Sequence, residues 1–71
     1  MEIIKLRKDD EYIKLGQALK AAALVSSGIE AKEMILSKLV KVNGEIETRR
    51  GRKLYHGDIA TFDNQNVKIE K

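Results

Sequence analysis

The chain has no cysteine, which excludes disulfides, thiolate metal sites and cysteine nucleophiles. Its single histidine, His56, has no second imidazole with which to share a metal, so a metal centre has little support. Aromatic residues are scarce: two tyrosines, one phenylalanine and no tryptophan. That is too thin a supply for an extended platform that stacks single-stranded bases. No apolar run approaches the roughly 20 residues of a membrane-spanning helix. The opening Met1-Glu2-Ile3-Ile4-Lys5 does not read as a signal peptide, which needs a long apolar stretch and a small-residue cleavage site. No nucleophile–base pair, phosphate loop or metal cluster is recognisable. The expectation is a soluble, cytoplasmic, non-enzymatic protein with no cofactor, no small-molecule substrate and no membrane contact.

What is present is charge, unevenly placed. The 71 residues carry a net +3, enough chain for one domain over 1–71. A domain of this size buries only about 60% of the surface its unfolded chain exposes, so a single thin core is expected. Between Lys38 and Lys53 six cations (Lys38, Lys41, Arg49, Arg50, Arg52, Lys53) face only Glu45 and Glu47. The window is thus more positive than the whole chain. Asp9-Asp10-Glu11 supplies much of the opposing charge. A surface polarised in this way suits an anionic partner, most commonly nucleic acid.

The hydrophobic periodicity outlines the elements. Ile3, Ile4 and Leu6 predict a short strand. Asp9-Asp10-Glu11, which lacks a nucleophile or pocket, predicts a solvated connection. Ile13, Leu15, Leu19, Ala22 and Ala23 recur at helical spacing, and Ala18 to Ala23 is rich in helix formers, so a first helix is expected over about Lys14 to Leu24. Lys14, Gln17 and Lys20 fall on its wet side. Ser27 followed by Glu30 has the spacing of a capping box, with the Glu30 carboxylate reaching back to the Ser27 amide. A second helix is expected from Gly28 or Ile29 to about Ser37. Val40 and Val42 alternate with Lys41 as in a half-buried strand. Asn43-Gly44 is a strong hairpin signal, because a type I′ turn needs positive φ at both central residues. After the Arg49–Lys53 run come Leu54-Tyr55, a turn at His56-Gly57-Asp58 with Asp58 bonding local amides, and strands around Ile59–Phe62 and Val67–Ile69. The order of one strand, two helices and several short strands is an α+β pattern. It places the helices on one face of a small, mainly antiparallel sheet.

Three segments, Ser27-Gly28-Ile29-Glu30-Ala31-Lys32, Val40-Lys41-Val42-Asn43-Gly44 and Gly57-Asp58-Ile59, together resemble the S-four RNA-binding domain. That family takes its name from the fourth protein of the small ribosomal subunit. The resemblance covers roughly Tyr12 to Phe62. With the short length and the Arg49-Arg50-Gly51-Arg52-Lys53 run, it is most similar to the stand-alone YaaA-type bacterial branch. It implies the alpha-L motif, a helix–turn–helix followed by a hairpin-containing sheet, and a role in holding structured RNA, with ribosomal RNA the leading class. One departure stands out: many members carry an arginine directly after the capping serine, where this chain has Gly28.

The candidate RNA-binding residues are therefore Gly28, Lys32, Lys41, Arg49, Arg50, Arg52 and Lys53. The three guanidiniums suit bidentate phosphate contacts, and Gly51 lets the backbone between them bend towards a ligand. The start of the second helix offers unpaired amides that Gly28 does not obstruct, and Lys32 follows one turn later on the same side. Ser27 and Glu30 are read as caps. Tyr12 and Tyr55 are read as packing residues that could also stack on bases. Two other readings stay open from the residues alone. The helix–turn–helix could enter DNA, although Glu30 and Glu33 face phosphate poorly. The cationic patch could instead dock an acidic protein as an assembly module. A monomer is expected.

Overall fold

The computed structural model describes residues 1–71. In chain order the elements are β1 (Glu2–Lys5), β2 (Tyr12–Lys14), α1 (Leu15–Ala21), α2 (Gly28–Leu36), β3 (Val40–Val42), β4 (Glu45–Ile46), β5 (Lys53–Tyr55), β6 (Ile59–Phe62) and β7 (Gln65–Glu70). Five strands form one sheet in the order β1-β7-β6-β3-β4, and β2 pairs with β5 in a separate ribbon. All pairings are antiparallel except β1 with β7, which run parallel. The architecture is the expected α+β arrangement.

Alternation along each strand decides what faces the helices. Val40 and Val42 of β3, Ala60 of β6, and Val67 and Ile69 of β7 are buried, and they share one core with Leu15, Ala18 and Leu19 of α1 and Ala31 and Ile35 of α2. Lys41, Thr61 and Asn66 occupy matched positions on the opposite face of the sheet. Leu54 of β5 is fully buried and belongs to the same core. With Ile13, which packs against that core, it ties the two-stranded ribbon to the rest of the molecule.

The first helix is shorter than its composition predicts, and Tyr12 and Ile13 are strand, not helix. Ile13 lies opposite Leu54 in the β2–β5 ribbon, so an apolar residue that fits the helical stripe is claimed by strand pairing. At the other end, α1 stops at Ala21. Ala23 adopts φ 58°, and the amides of Ala23 and Leu24 donate back to the carbonyls of Lys20 and Leu19. This is a Schellman closure made without glycine. The left-handed residue turns the chain so that Val25 enters the core. Helix α2 ends the same way: Lys38 has φ 64°, and the amides of Lys38 and Leu39 donate to the carbonyls of Ile35 and Met34.

The hairpin forms as its sequence dictates, with Asn43 at φ 52° and Gly44 at φ 85°. Asn43 also ties the hairpin to the second turn. Its side chain accepts from the Ile59 amide and donates to Asp58, whose other oxygen accepts from the Tyr55 amide.

Because Leu54 is the fully buried side chain of the ribbon, Leu54→Ala should lower stability by about 2–5 kcal/mol. Ile3→Ala, at a position 54% exposed, should change it by less than about 1 kcal/mol. Urea unfolding midpoints of the two variants provide the check.

Candidate nucleic-acid interface

The basic run is not a free arm. Glu47, the one buried charged residue, collects both outer arginines of its neighbourhood. Its carboxylate accepts from Arg49 Nε and Nη2, each at 3.0 Å, and from Arg52 Nη1 at 2.9 Å. It also accepts from the backbone amides of Thr48 and Arg49. Glu45 takes no part. Of the three guanidiniums that the sequence offers for phosphate contacts, two are therefore held internally. The reason is local. A carboxylate two residues before Arg49 and five before Arg52 reaches both once the chain turns, and the Arg49 carbonyl accepts from the Arg52 amide to make that turn.

The charge pair sets the ionisation of Glu47. The hydrogen bond from the Arg49 guanidinium holds its carboxyl at about 2 in place of the usual 4.5. Burial pushes the other way, and the bond from Arg52 adds to the lowering. In return, Glu47 pushes the Arg49 guanidinium further up.

The folded turn then docks on α1. The carbonyls of Arg52 and Arg50 accept from the Leu15 and Gly16 amides at 2.8 and 3.0 Å, satisfying two donors that a helix start leaves open. This anchoring carries Arg50 to the mouth of an open groove of about 300 Å³. Lys14, Gln17 and Lys20 line it from the α1 side, Gly28 from α2, and Arg50 and Gly51 from the turn; no acidic residue lines it. Arg50 makes no hydrogen bond or ion pair through its side chain, unlike its two neighbours.

At the α2 wall the Ser27 hydroxyl accepts from the Glu30 amide at 3.1 Å, as the capping signal predicts. The return half of the box is shifted. Glu30 accepts from the Ser26 amide and hydroxyl, not from Ser27. The amides of Gly28 and Ile29 have no protein acceptor, and the space where a Gly28 side chain would stand is open within 4 Å.

The remaining candidates scatter. Lys32 is exposed on α2, one turn beyond Gly28, and continues that side of the groove without lining it. Lys53 lies on β5 with its Nζ 4.8 Å from the centre of the Tyr12 ring. Lys41 is on the outer face of the sheet, separated from the helices by the core. His56 accepts from the Lys71 amide through Nδ1. Lys14 and Lys20, two cations of the groove, were not among the sequence candidates. Their i, i+3, i+6 spacing with Gln17 marks a common helix face, but nothing local shows that Arg50 comes to meet it. Glu47 stood in the sequence beside Glu45 as an acid of the basic window, and the structure shows which of the two takes the arginines.

Comparison with known proteins gives the family and the fold. The sequence profile of one family, the S4 domain, matches residues 4–70. The chain is 47% identical over 55 residues to the probable ribosome maturation protein RlbA of Bacillus subtilis, covering 78% of each chain. It is 33% identical over 58 residues to the putative RNA-binding protein YbcJ of Escherichia coli, covering 82% of this chain and 83% of that one. The solution structure of YbcJ, described as revealing an alpha-L motif involved in RNA binding, superposes with a TM-score of 0.73 at 31% identity. The match spans all of this chain and 89% of the other. A 35% identity over 54 residues also links it to the small ribosomal subunit protein uS4m of Schizosaccharomyces pombe, of which it covers 16%.

Glu47→Gln should loosen the turn. A carboxyl lowered from 4.5 to about 2 corresponds to at most about 3 kcal/mol. Solvent screening at Arg49, whose side chain is 73% exposed, reduces this to about 1–2 kcal/mol. Because the folded value is depressed, the contribution is complete above pH 4.5 and disappears as pH falls towards about 2. Thermal unfolding of both proteins across that window should show their stabilities converging at the acid end.

Proposed function

The chain belongs to the S4 domain family, and from that premise we propose that it is a non-catalytic RNA-binding protein that grips structured RNA through the groove between α1, α2 and the arginine turn. One observation carries this reading: Arg50, Lys14 and Lys20 converge on the unpaired amides at Gly28, in a groove with no acidic lining. Cations and open amides at one place form a phosphate site. The guanidinium of Arg50 supplies a planar fork for two phosphate oxygens, and the two ammoniums act as point charges beside it.

Association begins with the excess of positive charge and the release of counterions from the RNA. Fit follows from shape, because the backbone of a folded RNA presents phosphates at fixed spacing. Arg49 and Arg52 contribute by stiffening the turn, and the outward edge of Arg49, still exposed, adds to the local field. Lys32 extends the same wall. Lys41 lies on another face and plays no part in the grip. Duplex DNA is less favoured, since the exposed turn of α2 carries Glu30 and Glu33 as well as Lys32.

The ribosome-related names of the relatives favour ribosomal RNA as the class of target, and a cytoplasmic setting follows from that. No helix is long and apolar enough to cross a membrane. The protein acts as a monomer, with residues 1–71 working as one unit.

Arg50→Glu, Lys14→Glu and Lys20→Glu should each weaken binding to a ribosomal RNA fragment by about tenfold or more at low salt. Each should also flatten the dependence of log affinity on log salt by about 1. Lys41→Glu should leave both quantities nearly unchanged. Filter binding across a salt series tests this, and equal losses for Lys41→Glu and Arg50→Glu would remove the groove from the mechanism. Gly28→Arg should do the opposite. The open space at Gly28 accommodates the arginine common in the family, so affinity should rise several-fold in the same assay.

A further inference from the structure

Two of the three aromatic residues of the chain lie on one exposed surface, next to the phosphate groove. In the β2–β5 ribbon Tyr12 is opposite Tyr55 and Lys14 is opposite Lys53, while Ile13 and Leu54 between them point inward. The outward face of the ribbon is therefore a square of two tyrosines and two lysines. The rings sit 5.8 Å apart, tilted at 53°. Tyr12 remains 37% exposed and Tyr55 48%. Neither hydroxyl hydrogen-bonds to the protein.

A cross-strand tyrosine pair stabilises a ribbon, but packing alone does not require rings this open with two ammonium groups beside them on the same ribbon face. Two neighbouring acids are engaged, while Asp10, whose carboxylate is unpaired, borders the cavity that Tyr12 and Lys14 share. Glu11 is held by Lys71 Nζ at 3.0 Å, and Asp58 accepts from the Tyr55 amide and the Asn43 side chain. The surface is also continuous with the groove, because Lys14 belongs to both.

We infer that this face binds one unpaired nucleotide adjoining the RNA helix held in the groove, its base stacked on Tyr55. The inference rests on the RNA-binding reading above and adds to it a contact with unpaired bases. Tyr12 props the Tyr55 ring from the side and is itself covered by Lys53. Lys53 and Lys14 sit where the phosphates flanking the stacked base would pass. Stacking on an aromatic face tolerates any base, so the site senses the presence of a single strand and not its sequence. It lets the protein distinguish a helix that ends or bulges from one that continues.

The absence of tryptophan makes the test direct, since the two tyrosines are the only fluorophores of their kind in the chain. The probes are a blunt RNA duplex and the same duplex with a single-stranded uridine tail. The tailed duplex should bind about tenfold more tightly, given roughly 1–3 kcal/mol per stacked base, and should quench tyrosine emission, while the blunt duplex leaves the emission largely unchanged. Tyr55→Thr, which keeps a strand-forming residue, should bring the tailed affinity down to the blunt value without altering the latter. Tyr55→Phe should retain the preference. Arg50→Glu should weaken both probes alike. Equal binding of both probes by the native protein, with no quenching, would overturn the stacking site and leave the groove intact. Failure to bind either would overturn both.

Discussion

The buried carboxylate of Glu47 is the constraint on which the interface depends. Three arginines within four positions repel one another, and a segment of that composition left to itself stays extended and solvated. Glu47 bonds two of the guanidiniums, offsets one of their two charges and holds both against a single turn. Arg50, between them, faces outwards. The backbone of the same turn then closes the start of α1 through the Arg50 and Arg52 carbonyls. One anion thus links the geometry of the turn, the helix and the ribbon.

The outcome is a preformed groove in place of a mobile arm. A flexible basic segment would lose much conformational freedom on meeting RNA, and ordering each long side chain has an entropic cost. Here the backbone is already ordered by hydrogen bonds. In the proposed mode only the free ends of Arg50, Lys14 and Lys20 remain to be fixed. The arginines that do not face the groove still matter, because they hold the loop in the shape that presents the one that does.

The fold also separates its charges by face. Strand alternation sends Lys41 to the outer side of the sheet, away from the helices. The same period in β2 and β5 puts Tyr12, Lys14, Lys53 and Tyr55 together on the outside of the ribbon. Lys14 stands at the junction of the ribbon and α1, which makes two neighbouring surfaces into one continuous strip. Leu54, with Ile13 beside it, packs the ribbon against the common core.

Much of this was written in local patterns. The hairpin at Asn43-Gly44 follows from backbone sterics within two residues, the cap at Ser27 from a hydroxyl three residues before its donor, and the sheet from alternation at Val40 and Val42. The S4 resemblance and its RNA-binding role were likewise legible in three short segments. The end of α1 was not, because alanine at position 23 favours helix locally and turns left-handed only so that Val25 can reach the core. Nor was the strand at Tyr12, whose identity depends on pairing with Tyr55, far along the chain. The sequence by itself therefore determined the class of fold and the sign of the partner's charge, since both depend on neighbours a few residues apart. Tertiary structure alone decided which cations meet, because that depends on where Arg50, Lys14, Lys20 and Gly28 come to lie once the core has closed.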